Sequence, residues 1–240
     1  MPEPCHIPVL IREVLEVLSP EPGQTYIDAT AGLGGHALEI GRILGPGGTI
    51  VLNDVDPANL ERAQARLAGE LGAACPRVVQ LCGNFANLPH RLGEQGVVGD
   101  MLLADLGFSS NQMGDPRRGL SFMQEGPLDM RLDPALPTSA ADLVATLPED
   151  ELSRILWEFG EERQARRIAR KLAEARRAGP ITTTSSLAQI VRDALARAGG
   201  SGEGIDPATR TFQALRIAVN DELGVLDSLL ASIGREARRL

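Results

Sequence analysis

Aromatic residues are scarce in this 240-residue chain, which holds one Trp, one Tyr and five Phe. A broad platform of aromatic side chains for stacking nucleic-acid bases is therefore not expected. The net charge is −8, and an acidic protein does not favour non-specific binding to phosphate backbones. Recognition of RNA by a local basic patch stays open, because local patches rather than net charge decide it.

Cysteines and long apolar runs are also few. Cys5, Cys75 and Cys82 form no Cys-x-x-Cys pair, which favours reduced thiols in a cytoplasmic protein. No run of about 18 apolar residues is present, so no membrane partner is expected. The N-terminal segment lacks the charged and apolar parts of a signal peptide. We expect a cytoplasmic protein without a metal site.

Short apolar runs alternate with helical patterns through the first 105 residues. The predicted strands cover 24–29, 48–54, 77–82 and 99–105, and the predicted helices cover 8–18, 35–44, a segment from Pro57, and 86–93. Such alternation predicts an α/β fold with a parallel, doubly wound sheet. The pattern then changes. Residues 107–138 read as a long ordered loop, residues 139–198 as helices only, 199–206 as a flexible joint, and 208–231 as one long helix.

A glycine-rich turn (DATAGLGGHA, residues 28–37) joins the first strand to a helix. Glycines permit positive φ and close approach of a ligand, and the helix offers free N–H groups at its start. The spacing Gly32-x-Gly34-x-x-Ala37, with Asp54 about 20 residues later, also fits a dinucleotide fingerprint. An NAD(P)-dependent oxidoreductase is therefore an alternative, as is a turn that binds nothing.

Three acids are predicted to share the carboxyl edge of the sheet. Asp28 lies on its predicted strand just before the turn, Asp54 and Asp105 end theirs, and open α/β sheets bind their ligands at that edge. Carboxylates there would repel a pyrophosphate, which binds to N–H donors. They would attract S-adenosylmethionine, which has a cationic sulfonium and a cationic amino group and no phosphate. Charge therefore favours an adenosyl ligand with a positive centre.

Each of these residues also has a structural interpretation. Asp28 could cap the glycine turn, and Asp54 or Asp56 could cap the next helix, although Asp54 suits a ribose hydroxyl acceptor better. His36, in the first turn of its helix, could pack or cap. Phe85 could contact an adenine or belong to the core.

Three later segments are long and distinctive: 105–131 (DLGFSSNQMGDPRRGLSFMQEGPLDMR), 159–169 (FGEERQARRIA) and 207–220 (PATRTFQALRIAVN). Together with His6–Leu10 and Asp28–His36, they resemble the 16S ribosomal RNA cytosine-N4 methyltransferase family, which also has mitochondrial members. The resemblance runs through nearly the whole chain.

The resemblance implies a class I, Rossmann-like methyltransferase sheet with an inserted all-helical domain. Residues 1–108 and 208–240 would form the S-adenosylmethionine-binding domain, and 109–207 the inserted loop and substrate-recognition domain. The implied reaction is methyl transfer from S-adenosylmethionine to N4 of a cytidine in 16S ribosomal RNA of the small ribosomal subunit. The cofactor contacts carried over from the family are Gly34, Gly35, His36, Asp54, Phe85, Asp105 and Gln112.

Asp105 is also the expected catalytic residue. The N4 amine of cytosine is a poor nucleophile, because its lone pair is delocalised into the ring. The enzyme must align the amine with the methyl group and accept hydrogen bonds from its N–H groups. Asp105 and the backbone of 106–111 are the expected acceptors, and no metal is required.

Basic residues in the helical part are candidates for RNA contact. The set on the helical insertion is Arg163, Arg166, Arg167, Arg170, Lys171, Arg176 and Arg177. The alternative is a solvated helix face paired to Glu158, Glu161, Glu162 and Glu174. Arg117, Arg118 and Arg131 in the long loop are stronger candidates, since loops often carry function.

The C-terminus departs from the family pattern. Family members continue with a Pro-Gly-Gly turn, a strand and a Ser-Phe-His-Ser-Leu-Glu-Asp stretch, whereas this sequence ends at Leu240. We therefore expect the C-terminal strands to be missing and strand 99–105 to form an unpaired apolar edge. A homodimer could pair that edge. The alternative function is a truncated or non-catalytic ribosome-binding or RNA-binding relative that keeps cofactor binding.

Overall fold

The computed structural model of the chain describes residues 8–196 and 206–236. Its strands are β1 (Thr25–Asp28), β2 (Thr49–Asp54), β3 (Arg77–Cys82) and β4 (Met101–Leu103). Its helices are α1 (Ile11–Leu18), α2 (Gly35–Leu44), α3 (Pro57–Leu71), α4 (Leu88–Glu94), α5 (Ser110–Gly114), α6 (Ala140–Thr146), α7 (Glu149–Gly160), α8 (Ala165–Ala178), α9 (Thr184–Ala196), α10 (Ala208–Asn220) and α11 (Glu222–Glu236). The described residues divide into two compact units, one of 8–109 and 223–236 and the other of 110–196 and 206–222.

The first unit contains a four-stranded parallel sheet in the order β3-β2-β1-β4. This confirms the predicted α/β class. The strand predicted over 99–105 is shorter than expected, and side chains explain both of its ends. The Asp100 carboxylate accepts a hydrogen bond from the N–H of Thr25 at 2.7 Å. The N–H of Asp105 leaves the sheet to donate to the Thr30 hydroxyl at 2.7 Å.

Both faces of the sheet are covered by apolar side chains. Tyr26, Ile50 and Leu52 belong to a buried cluster that includes residues of α2 and α3. Ile27 and Val51 belong to a second buried cluster with residues of α4. Burial on both faces is typical of parallel strands, and it explains why their sequences read as continuous apolar runs.

The start of α1 differs from the prediction. Leu10 adopts the left-handed conformation (φ 55°) and the helix begins only at Ile11. Val9, Leu10 and Val17 are exposed, whereas the helix predicted over 8–18 would place them on one apolar face with Val14 and Leu18. Val14, Leu15 and Leu18 of α1 pack against the core.

The second unit is helical, with α7 packed against both α8 and α10. A Cβ at Gly160 would lie 2.6 Å from the carbonyl oxygen of Arg210, so glycine allows α7 and α10 to approach closely. The loop predicted over 107–138 is ordered, and it also contains α5 and a short 3-10 turn at Pro116–Arg118. Thr183, the residue before α9, forms a β-bridge with Pro127 of this loop.

The single helix predicted over 208–231 is wrong. The structure has two helices, separated at Asp221, which adopts φ 46°. An ion pair between Arg216 and Glu222, at 2.7 Å, spans the break. Because α10 packs on α7, it groups with the helical unit, whereas the sequence-based boundary placed it with the sheet. The predicted joint over 199–206 lies, except for Asp206, outside the described residues.

Among the residues that the structure describes, no helix is both long enough and apolar enough to cross a membrane.

Candidate active site

Three acids meet at the carboxyl edge of the sheet in the first unit. β1 lies between β2 and β4, and Asp28 is in register with Leu52 on one side and Leu103 on the other. Asp54 lies two residues after Leu52, and Asp105 lies two residues after Leu103. Asp28 is 2 % exposed, whereas Asp105 is exposed. The structure therefore brings together the three carboxylates that the sequence placed at this edge.

The glycine turn is fastened to the end of β2. The N–H of Gly32 donates to Oδ2 of Asp54 at 2.8 Å. Gly34, at φ 72°, precedes α2, and a Cβ there would lie 3.0 Å from the Cβ of Ala63 on α3. Glycine is therefore required at Gly34 both for its backbone conformation and for the packing of α3 beside the turn.

The N-cap of α3 is Asp56 and not Asp54. Oδ1 of Asp56 accepts from the N–H of Ala58 at 3.0 Å, which is the N-cap bond. The carboxylate of Asp54 instead accepts hydrogen bonds from the N–H groups of Asp56 and Gly32, each at 2.8 Å. The alternative in which Asp54 caps α3 is therefore wrong. The carboxylate of Asp54 joins the end of β2 to the glycine turn.

Burial makes negative charge costly at this edge. Burial, with a smaller contribution from the carboxylate of Asp54, raises the pKa of Asp28 to about 6, although the N–H of Thr30 opposes the shift. Burial also raises the pKa of Asp54, although the N–H groups of Asp56 and Gly32 oppose the shift. A cation bound beside these groups would favour their ionised forms, so the edge suits a positively charged ligand.

His36 has a structural contact. Its Nε2 lies 3.0 Å from the carbonyl oxygen of Val9, and the side chain is buried. A carbonyl only accepts, so Nε2 carries the hydrogen in this contact. Next to it, a Cβ at Gly35 would lie 3.3 Å from Pro8. The segment before α1 therefore packs closely on the start of α2, and a cofactor role for His36 and Gly35 stays a prediction.

The two remaining candidates lie in different units. Phe85 follows β3, is half-buried, and packs against the cluster of Ile27 and Val51. The core interpretation is therefore correct for part of the ring. Gln112 is buried within α5 of the second unit. Contact of either side chain with a cofactor stays a prediction.

Three residues that the sequence analysis missed hold the edge in shape. Nδ2 of Asn53 donates to the carbonyl of Ala29 at 2.8 Å, which fixes the start of the turn. Arg91 of α4 donates to the Asn53 side chain and, at 2.8 Å, to the carbonyl of Cys82. Thr30 accepts from the backbone of Asp105. A polar residue inside the apolar run of β2 was a usable signal for Asn53, but nothing local indicated Arg91 or Thr30.

In the second unit, the segment GPLDMR (126–131) is anchored by side chains distant in sequence. Asn220 at the end of α10 donates to the carbonyl of Met130 and accepts from the N–H of Leu132, each at 2.8 Å. Met130 itself has φ 64°. The hydroxyl of Thr184 accepts from the N–H of Gly126 at 3.1 Å. Two of the segments that carry the family resemblance are therefore bonded to each other.

The basic residues of the long loop are largely engaged within the protein. Arg131 forms a two-point ion pair with Asp129, at 2.7 Å for each bond, and this pair holds the pKa of Asp129 below its ordinary value. Arg117 pairs with Asp115 at 2.9 Å. Arg118 donates to the carbonyl of Leu132 at 3.2 Å. Contact of these three with RNA stays a prediction.

The basic helix α8 divides into two groups. Arg176 donates to the carbonyls of Val144 and Leu147, each at 2.7 Å, so it serves to hold α6. Lys171 pairs with Glu174 at 3.7 Å, as the solvated-face interpretation predicted. No hydrogen bond or ion pair with any residue in 8–196 or 206–236 is formed by the side chains of Arg163, just before α8, or of Arg166, Arg167, Arg170 and Arg177 on it.

Comparison with known proteins identifies the family. The sequence profile of the MraW methylase family matches residues 3–237. The chain belongs to the MraW methylase family. A protein of Geobacter sulfurreducens named ribosomal RNA small subunit methyltransferase H is 50% identical over 95% of this chain and 72% of its own length. Proteins of the same name from Acidobacterium capsulatum and Granulibacter bethesdensis are 46% and 48% identical, over 94% of this chain and 74% and 65% of theirs.

Family membership confirms the resemblance noted in the sequence and the Rossmann-like character of the parallel sheet. The protein is a methyltransferase, and its reaction requires a methyl donor. The oxidoreductase alternative, which depended on the spacing of the glycines only, is therefore wrong.

Proposed function

We propose that the protein transfers a methyl group from S-adenosylmethionine to N4 of a cytidine in 16S ribosomal RNA of the small ribosomal subunit. The observation that carries this proposal is the identity of about half the residues, over nearly the whole chain, with proteins named ribosomal RNA small subunit methyltransferase H. The choice of the cytidine N4 rests on the resemblance of the segments 105–131 and 207–220.

The charge of the sheet edge supports S-adenosylmethionine as the donor. Asp28 and Asp54 lie at this edge with raised pKa values, and a cationic ligand would relieve the cost of ionising them. When bound, S-adenosylmethionine supplies an electrophilic methyl group on a sulfonium. The residues proposed to hold it are Gly34, Gly35, His36, Asp54, Phe85, Asp105 and Gln112. Asp54 would accept a ribose hydroxyl, as acids that end the second strand of such sheets do.

Asp105 is proposed as the catalytic residue. Its N–H is held by the hydroxyl of Thr30, which fixes the backbone at the end of β4, while its carboxylate faces solvent. A carboxylate in a fixed position can accept a hydrogen bond from the cytosine amine and stabilise the positive charge that develops on nitrogen. It would also orient the amine towards the methyl group.

The donor site is tested by calorimetric titration of S-adenosylmethionine into the 240-residue protein. Asp105→Asn is compared with Asp100→Asn, because the two acids lie at opposite ends of β4 and both substitutions remove one charge from side chains of equal size. We expect binding to weaken at least tenfold in Asp105→Asn and to stay unchanged in Asp100→Asn. Equal affinities in the two variants would contradict the placement of the cofactor.

The substrate is tested by transfer of a labelled methyl group to immature small subunits, followed by mapping of the modified nucleotide. We expect label on N4 of one cytidine of 16S ribosomal RNA. Donor binding without any transfer would favour a non-catalytic RNA-binding relative.

A homodimer in the cytoplasm is proposed as the state in which the protein acts. Within the described residues, β4 pairs with β1 on one side and has no strand on its other side. Light scattering that gives the mass of a single chain at micromolar concentration would contradict the dimer.

A further inference from the structure

A groove in the helical unit combines the exposed tryptophan with unpaired arginines. Trp157, the only tryptophan of the chain, lies on α7 and is 60% exposed. It lines a groove together with Arg163, Arg166, Arg167 and Arg170, from α8 and the turn before it. A large apolar ring of this kind is usually buried, so its exposure beside four cations is unusual.

The charges of the groove are not balanced by the protein. Five arginines line it against two acids, Glu149 and Asp150. The fifth arginine, Arg154, is already paired with Glu151 and Glu158 of its own helix. The other four guanidinium groups form no hydrogen bond or ion pair with any residue of the described ranges. Like charges held close together repel, and a polyanion would relieve that repulsion.

The size and openness of the groove favour an extended ligand over a small molecule. Its volume is about 1300 Å³, whereas enclosed sites for small molecules measure about 300–1,000 Å³. It is open to solvent along α7 and α8. A polymer with regularly spaced phosphates and accessible ring faces fits this combination. Guanidinium groups bind phosphates, and an exposed indole stacks on a base.

We infer that this groove binds a single-stranded segment of the ribosomal RNA substrate, with Trp157 stacked on one unpaired base and Arg163, Arg166, Arg167 and Arg170 on the phosphates. The identity of the RNA rests on the proposed function. A single strand is required because the bases of a duplex already stack on each other, and their faces are closed to an aromatic side chain.

Trp157 gives a direct signal, since it is the only tryptophan. A short single-stranded RNA is titrated into the full chain while tryptophan fluorescence is recorded. We expect quenching on binding, because the indole stacks on a base. An RNA of the same length without bases should bind and leave the fluorescence unchanged. Duplex RNA should not quench. Bound single strand without quenching, or equal quenching by duplex RNA, would overturn the inference.

Variants separate stacking from charge. Trp157→Leu should weaken binding of the single strand about tenfold without changing its dependence on salt. Arg166→Gln combined with Arg170→Gln should lower the slope of log affinity against log salt by about 1.4. The control is Arg62→Gln with Arg77→Gln, which removes the same charge from exposed positions of the first unit. Equal affinity and slope in the two double variants would overturn the inference.

Two separate measurements distinguish failure of RNA binding by the groove from failure of methyl transfer. Methyl transfer to immature small subunits is measured with the same preparation of the wild-type protein. Transfer without quenching overturns the groove and leaves the proposed function standing. Quenching without transfer overturns the proposed function and supports the groove as an RNA site.

Discussion

Replacement of Gly34 by alanine tests whether the glycine turn is as constrained as its geometry indicates. Gly34 has φ 72° and ψ 26°, which is the left-handed region. An added Cβ would lie 3.0 Å from the Cβ and 3.1 Å from the Cα of Ala63. The second of these atoms is backbone, so the contact is relieved only if α3 or the turn moves.

The expected loss of stability has two parts. An L-residue in the left-handed conformation costs about 1–2 kcal/mol. Crowding of a well-packed site by one methyl group costs about 1–3 kcal/mol. The smaller entropy of the unfolded alanine chain returns about 0.4–1 kcal/mol. We therefore expect Gly34→Ala to lower the free energy of unfolding by about 1–4.5 kcal/mol, which for a chain of this size lowers the midpoint by about 2–18 °C.

Scanning calorimetry measures the effect, and Gly69→Ala provides the matched control. Gly69 lies inside α3 and has no atom within 4 Å of its added Cβ, so the same change there should stabilise the protein by up to about 1 kcal/mol. If Gly34→Ala stayed within about 0.5 kcal/mol of the wild type, as a neutral surface change does, the argument from φ and from Ala63 would be refuted.

Three further substitutions give expected outcomes. The pKa of Asp28 is raised from 3.8 to about 6, so its contribution to stability is present below pH 3.8 and is lost as the pH rises through about 6. Asp28→Asn should remove up to about 3 kcal/mol of this pH-dependent loss, as measured by urea unfolding across that range. Asn220→Ala leaves a backbone N–H and a carbonyl of 126–132 unpaired and should destabilise the helical unit by about 2–4 kcal/mol, followed by Trp157 fluorescence. Asp56→Ala removes the N-cap of α3 and should cost about 1 kcal/mol, measured by thermal unfolding; no loss would show that the cap is dispensable.

Elements defined by local chemistry could be predicted from the sequence. The bounds of α2 and β3 were predicted to the residue, because glycines flank α2 and a compact apolar run defines β3. The acids at the carboxyl edge followed from the parallel order of the strands, since each acid lies at the end of its own strand or, for Asp105, two residues after it. Family resemblance added the nature of the reaction, which periodicity could not supply.

Features decided by distant contacts could not be predicted. The end of β4 depends on the hydroxyl of Thr30, which is 75 residues away from Asp105. The bond between Arg91 and Asn53 spans 38 residues. The break between α10 and α11 lies at Asp221, where neither a glycine nor a proline marks the end of a helix. In the first two cases a polar group is satisfied by a partner that the local sequence pattern does not identify.

A basic residue that lies in a family motif need not contact RNA. Arg131 lies within GPLDMR, one of the segments that identify the family, yet its guanidinium is bound to Asp129 and to the carbonyl of Leu136. Its replacement would first disturb the loop, so lost activity there would not identify an RNA contact. Arg166 and Arg170 lie in no ion pair with the described residues, and their replacement should change RNA affinity without changing stability. Stability and affinity measured together on both kinds of variant therefore separate residues that build the helical unit from residues that use it.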